Sequence, residues 1–211
     1  MRILRVMSLL AAVTLPACTL FGVRSGTEQP RYRVVGQVGA VEIRGYGPRL
    51  AAETTIEASE MNARYAGFRR LAAFIFGANR GAAKIAMTAP VGQEEAAARI
   101  AMTAPVAESA GPGGAWTIRF FMPAQYSAAT LPVPTDPAVH IVEVPGETYG
   151  VLRFSGVPTA HAVAAEQARL LRLLGAGPWL AEGRPVAWFY DPPWTIPFLR
   201  RNEVAVRVVP R

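Results

Sequence analysis

The chain contains one cysteine, Cys18, so an internal disulfide framework and a cysteine-built zinc site are both excluded. Histidine is almost as scarce. His140 and His161 are the whole supply, which removes histidine-rich metal centres, and no Cys-X-X-Cys-His haem attachment is available. Each reads as a surface or capping residue rather than a ligand. The two aspartates, Asp136 and Asp191, each adjoin a proline in a turn-like setting, which leaves no buried catalytic aspartate pair. There is no G-x-S-x-G elbow, no P-loop and no Rossmann fingerprint. Together these absences point to a binding protein rather than an enzyme, without a metal site of its own.

Acidic residues are in deficit, 15 against 22 Lys and Arg, and the net charge of +7 suits an anionic partner: nucleic acid, a lipid surface or a small carboxylated ligand. A hydrophobic share of 51% excludes a disordered chain. Eighteen prolines and nineteen glycines argue against a simple helical bundle. The 211 residues suit one domain.

The first segment reads as an address. Arg2 and Arg5 form a basic start, and Val6–Leu15 an apolar run too short for the roughly 20 residues that span a bilayer. Leu15-Pro16-Ala17-Cys18 resembles a bacterial lipobox, in which the cysteine is acylated after cleavage; the plainer alternative is an ordinary signal peptide. We therefore divide the chain into a lipoprotein signal at 1–17, an acylated Cys18 with a tether over 18–30, and a folded domain over 31–211. Cleavage removes Arg2 and Arg5, which trims the basic excess. Export, and the lack of any helix-turn-helix, zinc-finger or RNP pattern, argue against nucleic acid. The expected location is the bacterial envelope, lipid-anchored and facing the periplasm.

Strand alternation marks Tyr32–Gln37, Val41–Tyr46 and Arg49–Ile56. Ser59 offers an N-cap for a helix over about Glu60–Phe76, with Met61, Tyr65, Phe68, Ala72 and Ile75 on one face. Lys84–Val91, Arg99–Val106 and Trp116–Met122 read as strands, Leu131–Pro137 as a surface loop, and Val139–Val144 and Tyr149–Phe154 as strands again. Thr159 caps a second helix, about Ala160–Leu174, with Val163, Gln167, Leu170 and Leu174 along one side; Gly175 and Gly177-Pro178 end it. Pro185–Tyr190 and Glu203–Val209 close the chain. Strands and helices in this order predict a pseudo-twofold α+β domain with a curved or barrel-like sheet and an apolar pocket between helix and sheet.

Two motifs stand out. IAMTAPV occurs at Ile85–Val91 and again at Ile100–Val106. One reading makes this a tandem hairpin with Gly92–Ala98 as its loop and Met87 and Met102 as core or pocket fillers. The other puts one sulfur on a haem iron or a macrocycle face, although methionine ligation normally has a histidine opposite. The second motif is Tyr190–Glu203, YDPPWTIPFLRRNE, where a stiff Asp191-Pro192-Pro193 turn presents Trp194 and Phe198 beside Arg200 and Arg201. Aromatic surface next to guanidinium groups suits a flat, carboxylated ligand. The alternative is a packed loop whose arginines are solvated or paired to Glu203.

KIAMTAPV, WTIRFFMP, LRFSG and YDPPWTIPFLRRNEV resemble the SOUL haem-binding family, over about Tyr32–Val208. The resemblance implies a distorted antiparallel or mixed β-barrel flanked by two helices, built from a duplicated strand–helix–strand–strand unit, and noncovalent binding of haem or another tetrapyrrole in a hydrophobic groove. The effector-binding domains of bacteria are similar in theme. The groove positions carried over are Tyr65, Phe68, Arg69 and Ala72 on the first helix and Trp194, Thr195 and Phe198 on the loop, with Arg69, Arg200 or Arg201 toward the propionates and Arg64 and Arg70 as further candidates. The histidine proposed near the first helix in some members is missing, since no histidine precedes His140. Two other functional classes stand beside this one: an envelope interaction module, and a carrier or sensor of another apolar anion. Protein partners are left open.

Overall fold

The computed structural model describes residues 27–95 and 114–211. Cys18, Arg99–Val106 and Met102 lie outside them. Among the described residues nine strands run β1 (Tyr32–Val38), β2 (Val41–Tyr46), β3 (Arg49–Glu57), β4 (Val91–Glu95), β5 (Ala115–Phe121), β6 (His140–Val144), β7 (Glu147–Phe154), β8 (Trp179–Phe189) and β9 (Asn202–Pro210). Helix α1 (Glu60–Ile75) follows β3, and α2 (Ala160–Gly175) follows β7.

All nine strands join one sheet in the order β1-β2-β7-β9-β8-β4-β5-β3-β6, and every strand pair is antiparallel. The expected duplication is visible in that order. β3-α1-β4-β5 and β7-α2-β8-β9 are matching units that meet at the β4–β8 ladder. Each unit is preceded by a strand that pairs with the other one: β2 lies against β7, and β6 against β3.

The expected closure into a barrel is not seen among the described residues. β1 and β6 are the two sheet edges and do not pair, so the ladder stays open. The sheet is nonetheless strongly curled. Tyr46 on β2 and Trp188 on β8 have ring centroids 5.7 Å apart, although β7 and β9 lie between their strands. Three strand spacings in a flat sheet would put them about 14 Å apart.

Both helices cover the convex face. Val163, Leu170 and Leu174 of α2 pack with Ile43, Leu152, Phe189 and Val206. Leu71, Phe74 and Ile75 of α1 pack with Ile118, Phe120 and Met122. Thr159 caps α2 as expected, accepting from Ala162 N at 3.2 Å, whereas Ser59 occupies the N-cap of α1 without a side-chain bond.

The expected apolar face of α1 is wrong by most of its residues. Ala63, Gly67, Leu71, Phe74 and Ile75 face the sheet, while Tyr65 and Phe68 point outward. The cause is close packing: a Cβ on Gly67 would sit 2.4 Å from Ile118 Cγ1, so the inner face at this point takes the smallest residue and the bulky ones turn out.

Lys84–Val91 is not a strand. Thr88 donates its hydroxyl to the Phe121 carbonyl, and Pro90 has no N–H to give, so the ladder begins only at Val91. The hairpin reading of the repeat falls with it. Gly92–Glu95 belong to β4, and Val91 pairs with Phe120 and Phe189 rather than with a second copy of its own motif. Strand β8 also starts earlier than expected, at Trp179; Gly183, with φ of 75°, absorbs an irregularity between Glu182 and Val186 that interrupts the pattern.

Candidate functional site

The concave face, opposite the helices, carries two charge clusters. In the first, Glu203 on β9 is fully buried and takes hydrogen bonds from Arg44 Nη1 (2.9 Å) and Nη2 (3.2 Å), Arg201 Nε (2.9 Å) and Nη2 (2.7 Å), and Tyr190 Oη (2.6 Å). Burial alone would raise this carboxyl; the bonds and charge of Arg44, with Arg201 and Tyr190, outweigh it and hold it below the ordinary carboxylate range. Burial, with the adjacent Glu203 charge, pushes the Tyr190 hydroxyl up, so it stays a donor. The Arg201 guanidinium also lies 4.0 Å from the centre of the Tyr190 ring.

In the second cluster Arg119 on β5 bridges Glu53 on β3 (2.6 Å) and Glu94 on β4 (3.1 Å). Burial raises the Glu94 carboxyl against the pull of Arg119, and the nearby charges of Glu53 and Glu147 add to the rise. Tyr149 Oη donates to Glu147 at 2.6 Å. Arg49, at the start of β3, lies between aromatic rings, its guanidinium carbon 4.4 Å from the Tyr46 centroid and 4.7 Å from that of Phe121. Its Nε and Nη2 are buried without a hydrogen-bond partner among the described residues. Beside it opens a cleft of about 480 Å³ at one end of the sheet, walled by Pro30, Pro48, Leu50, Phe121, Met122 and Tyr126. This cleft is not between helix and sheet, where an apolar pocket was expected.

The convex side holds the groove residues inferred from the sequence. Tyr65 is 51% exposed and Phe68 38%; the Phe68 ring meets Phe120 edge-on at 5.4 Å. Arg69 is exposed and Ala72 half-buried. On the C-terminal loop Trp194 is 62% exposed and Phe198 73%, whereas Thr195 is buried. One turn connects the two sets. Pro158 O accepts from Arg64 Nη1 at 2.9 Å, and Gly156 N donates to Pro197 O at 2.9 Å, so Arg64 of α1 and the aromatic loop both bond residues 156–158. Met87 is exposed on the segment before β4.

The arginines separate sharply. Arg200 bonds the carbonyls of Thr195 and Pro193 and so braces its own loop. Arg201 is taken by Glu203, as one reading of the sequence allowed. Arg64 spans Glu60, Gln93 and Pro158 and lies 3.9 Å over the Phe189 ring. Arg70 bonds Thr54 and Asp136. Of the five candidates, Arg69 is the one with no hydrogen bond or ion pair among the described residues.

Arg44, Arg49, Tyr190 and Glu203 were not singled out from the sequence as a constellation. The available signal was charge at strand positions that alternate with buried ones, as in Val41-Glu42-Ile43-Arg44, but a charged alternate position ordinarily faces water. Among the described residues no group of three His, Cys, Asp or Glu side chains is placed to hold a metal, and no helix is long and apolar enough to cross a membrane.

The fold has relatives of known structure at low identity. The C-terminal domain of EcmrR superposes with a TM-score of 0.56 at 9% identity, over 85% of this chain and 99% of that one. An uncharacterized conserved protein from Listeria innocua gives 0.56 at 11%, over 88% and 94%. A hydrolase encoded by lin2189 of the same organism gives 0.53 at 10%, over 80% and 91%. Such likenesses establish the architecture alone. No curated protein matches the chain. The model of the SOUL heme-binding protein family, by contrast, matches residues 27–207, both structural units and the motif-bearing loop included, and on that extent this chain belongs to the SOUL haem-binding family.

Proposed function

We propose that this protein binds haem or a related tetrapyrrole noncovalently, on the surface between the outer side of α1 and the loop after the Asp191-Pro192-Pro193 turn, while anchored to the envelope through acylated Cys18. The observation that supports this most is the exposure of four aromatic side chains, Tyr65, Phe68, Trp194 and Phe198, on two elements that flank one turn. Large aromatics left in water on a braced loop are surface that a flat apolar partner would cover. Burial there would supply most of the affinity, at about 25 cal/mol per Å² before the costs of association. Arg69 fits a propionate, being exposed beside Phe68 and unengaged. His140 stands on β6, and His161 is exposed at the first turn of α2, three residues after the turn. The family's character is that of a binder, and no catalytic step is assigned.

Titration of the purified protein with haemin tests the reading. A saturable Soret shift is expected, weakened at least tenfold in Trp194→Ala/Phe198→Ala. Absence of saturation, or equal affinity in the double variant, overturns it.

A further inference from the structure

Arg49 is a half-buried cation whose side-on hydrogen-bonding edge is buried and unused among the described residues. Nε and Nη2 form the side-on fork that matches the two oxygens of a carboxylate, and both are buried and without a partner. The acid whose charge reaches it, Glu147, is turned to Tyr149 at 2.6 Å and Arg207 at 3.3 Å. The rings of Tyr46 and Phe121 flank the guanidinium and favour its charge, but they supply no acceptor oxygens. Leaving two donors buried and unmet is costly, so the edge is expected to be met by something.

Two spaces adjoin Arg49. Arg49 lines a small inner void of about 10 Å³, walled by Tyr32, Tyr46, Trp188 and Tyr190, and an outer cleft of about 480 Å³; Gln29, Pro30 and Phe121 line both. The inner void holds about one water or one ligand oxygen. The outer cleft is of the size that small-molecule sites have. Its other charges are Arg31, Glu28, whose carboxylate accepts from Ala124 N at 2.9 Å, and Glu143. Two acids on the wall disfavour a multiply charged guest. The apolar remainder favours a guest whose body is flat and unpolar.

We propose that Arg49 is the anion clamp of a second ligand site, at the sheet end and away from the outer face of α1, which takes a small monocarboxylate with an apolar, flat body. The carboxylate takes the Nε/Nη2 edge and the body lies in the cleft against Pro48, Leu50 and Met122. This site is distinct from the tetrapyrrole surface and does not depend on it.

Calorimetric titration of the whole processed protein with naphthoate and with its neutral analogue naphthamide decides the matter. Naphthoate is expected to saturate one site and to bind at least tenfold more tightly than naphthamide, with that preference lost in Arg49→Gln. Arg49→Lys keeps the charge but not the fork, and is expected to lose most of the preference too, which covers the case in which the glutamine variant does not fold. The Soret titration with haemin is expected to be the same in wild type and Arg49→Lys, which separates the two sites. No saturable naphthoate binding, equal binding of the amide, or full preference retained in Arg49→Lys overturns the proposal and leaves a buried water as the partner of this edge.

Discussion

Arg44 and Glu203 are 159 residues apart in sequence, and their side chains meet across β7 through two hydrogen bonds of 2.9 and 3.2 Å. Neither group is exposed enough for water to take over, at 4% and 0%. Breaking such a pair from one side strands the other charge, which costs about 3–5 kcal/mol. Glu203→Gln takes the anion from Arg201 and leaves Arg44 only the exposed Glu42, at 2.7 Å, so its urea midpoint should fall by a corresponding amount with the slope unchanged.

Acid stability should be non-monotonic, because two carboxyls shift in opposite directions. Glu94 is raised, so its folded form takes a proton more readily than the unfolded chain does; stability rises as pH falls through that raised value. Glu203 is depressed, so its contribution is complete above the ordinary carboxylate value, about 4.3, and is lost as pH falls through its lower folded value. Denaturation midpoints measured from neutral pH downward should climb first and then drop. Glu94→Gln should remove the climb, and Glu203→Gln should flatten the drop. A monotonic wild-type profile contradicts this assignment.

Gly67 is where α1 comes nearest the sheet, over Ile118. A methyl group there meets Ile118 Cγ1 at 2.4 Å and Cβ at 2.7 Å, and overpacking of this sort costs about 1–3 kcal/mol. Gly67→Ala should therefore lower the melting temperature despite alanine's better helix propensity. Adding Ile118→Ala should cost less in that background than in wild type, which a double-mutant cycle reads directly.

Arg69 separates charge recognition from macrocycle burial. Arg69→Ala should weaken haemin binding several-fold, and haemin dimethyl ester, which lacks free propionates, should bind wild type and variant alike. Equal loss for both ligands would mean that Arg69 acts through packing.

Cys18→Ser should abolish acyl labelling and move the protein from the membrane fraction to the soluble one. Persistence in the membrane fraction without acylation would contradict anchoring at Cys18.

Much of the architecture was legible because most strands and both helices carry their own local periodicity. The bounds of β2 and the extent of α2, for instance, follow from alternation, the Thr159 cap and the glycines after Leu174. What escaped was set by tertiary packing. The inner face of α1 is small rather than bulky because Ile118 presses on Gly67, so a reading that weighs apolar bulk selects the outer face instead. Tyr65 and Phe68 reached the proposed ligand surface by another route, as groove positions carried over from the family resemblance. Arg49 escaped for a different reason. Its neighbours Tyr46 and Phe121 come together only when the sheet curls, and nothing local encodes the curl.

The strand order has a consequence for how such a molecule can arise and be made. Each unit has its outer edge capped by the strand that precedes the other unit, β2 on β7 and β6 on β3. A half-length polypeptide would leave one capping strand without a sheet and one sheet edge bare. Two such polypeptides, exchanging their first strands, would reproduce the whole pattern. The single chain is thus organised as an arm-exchanged pair joined end to end, and neither half is expected to fold until the other has been synthesised.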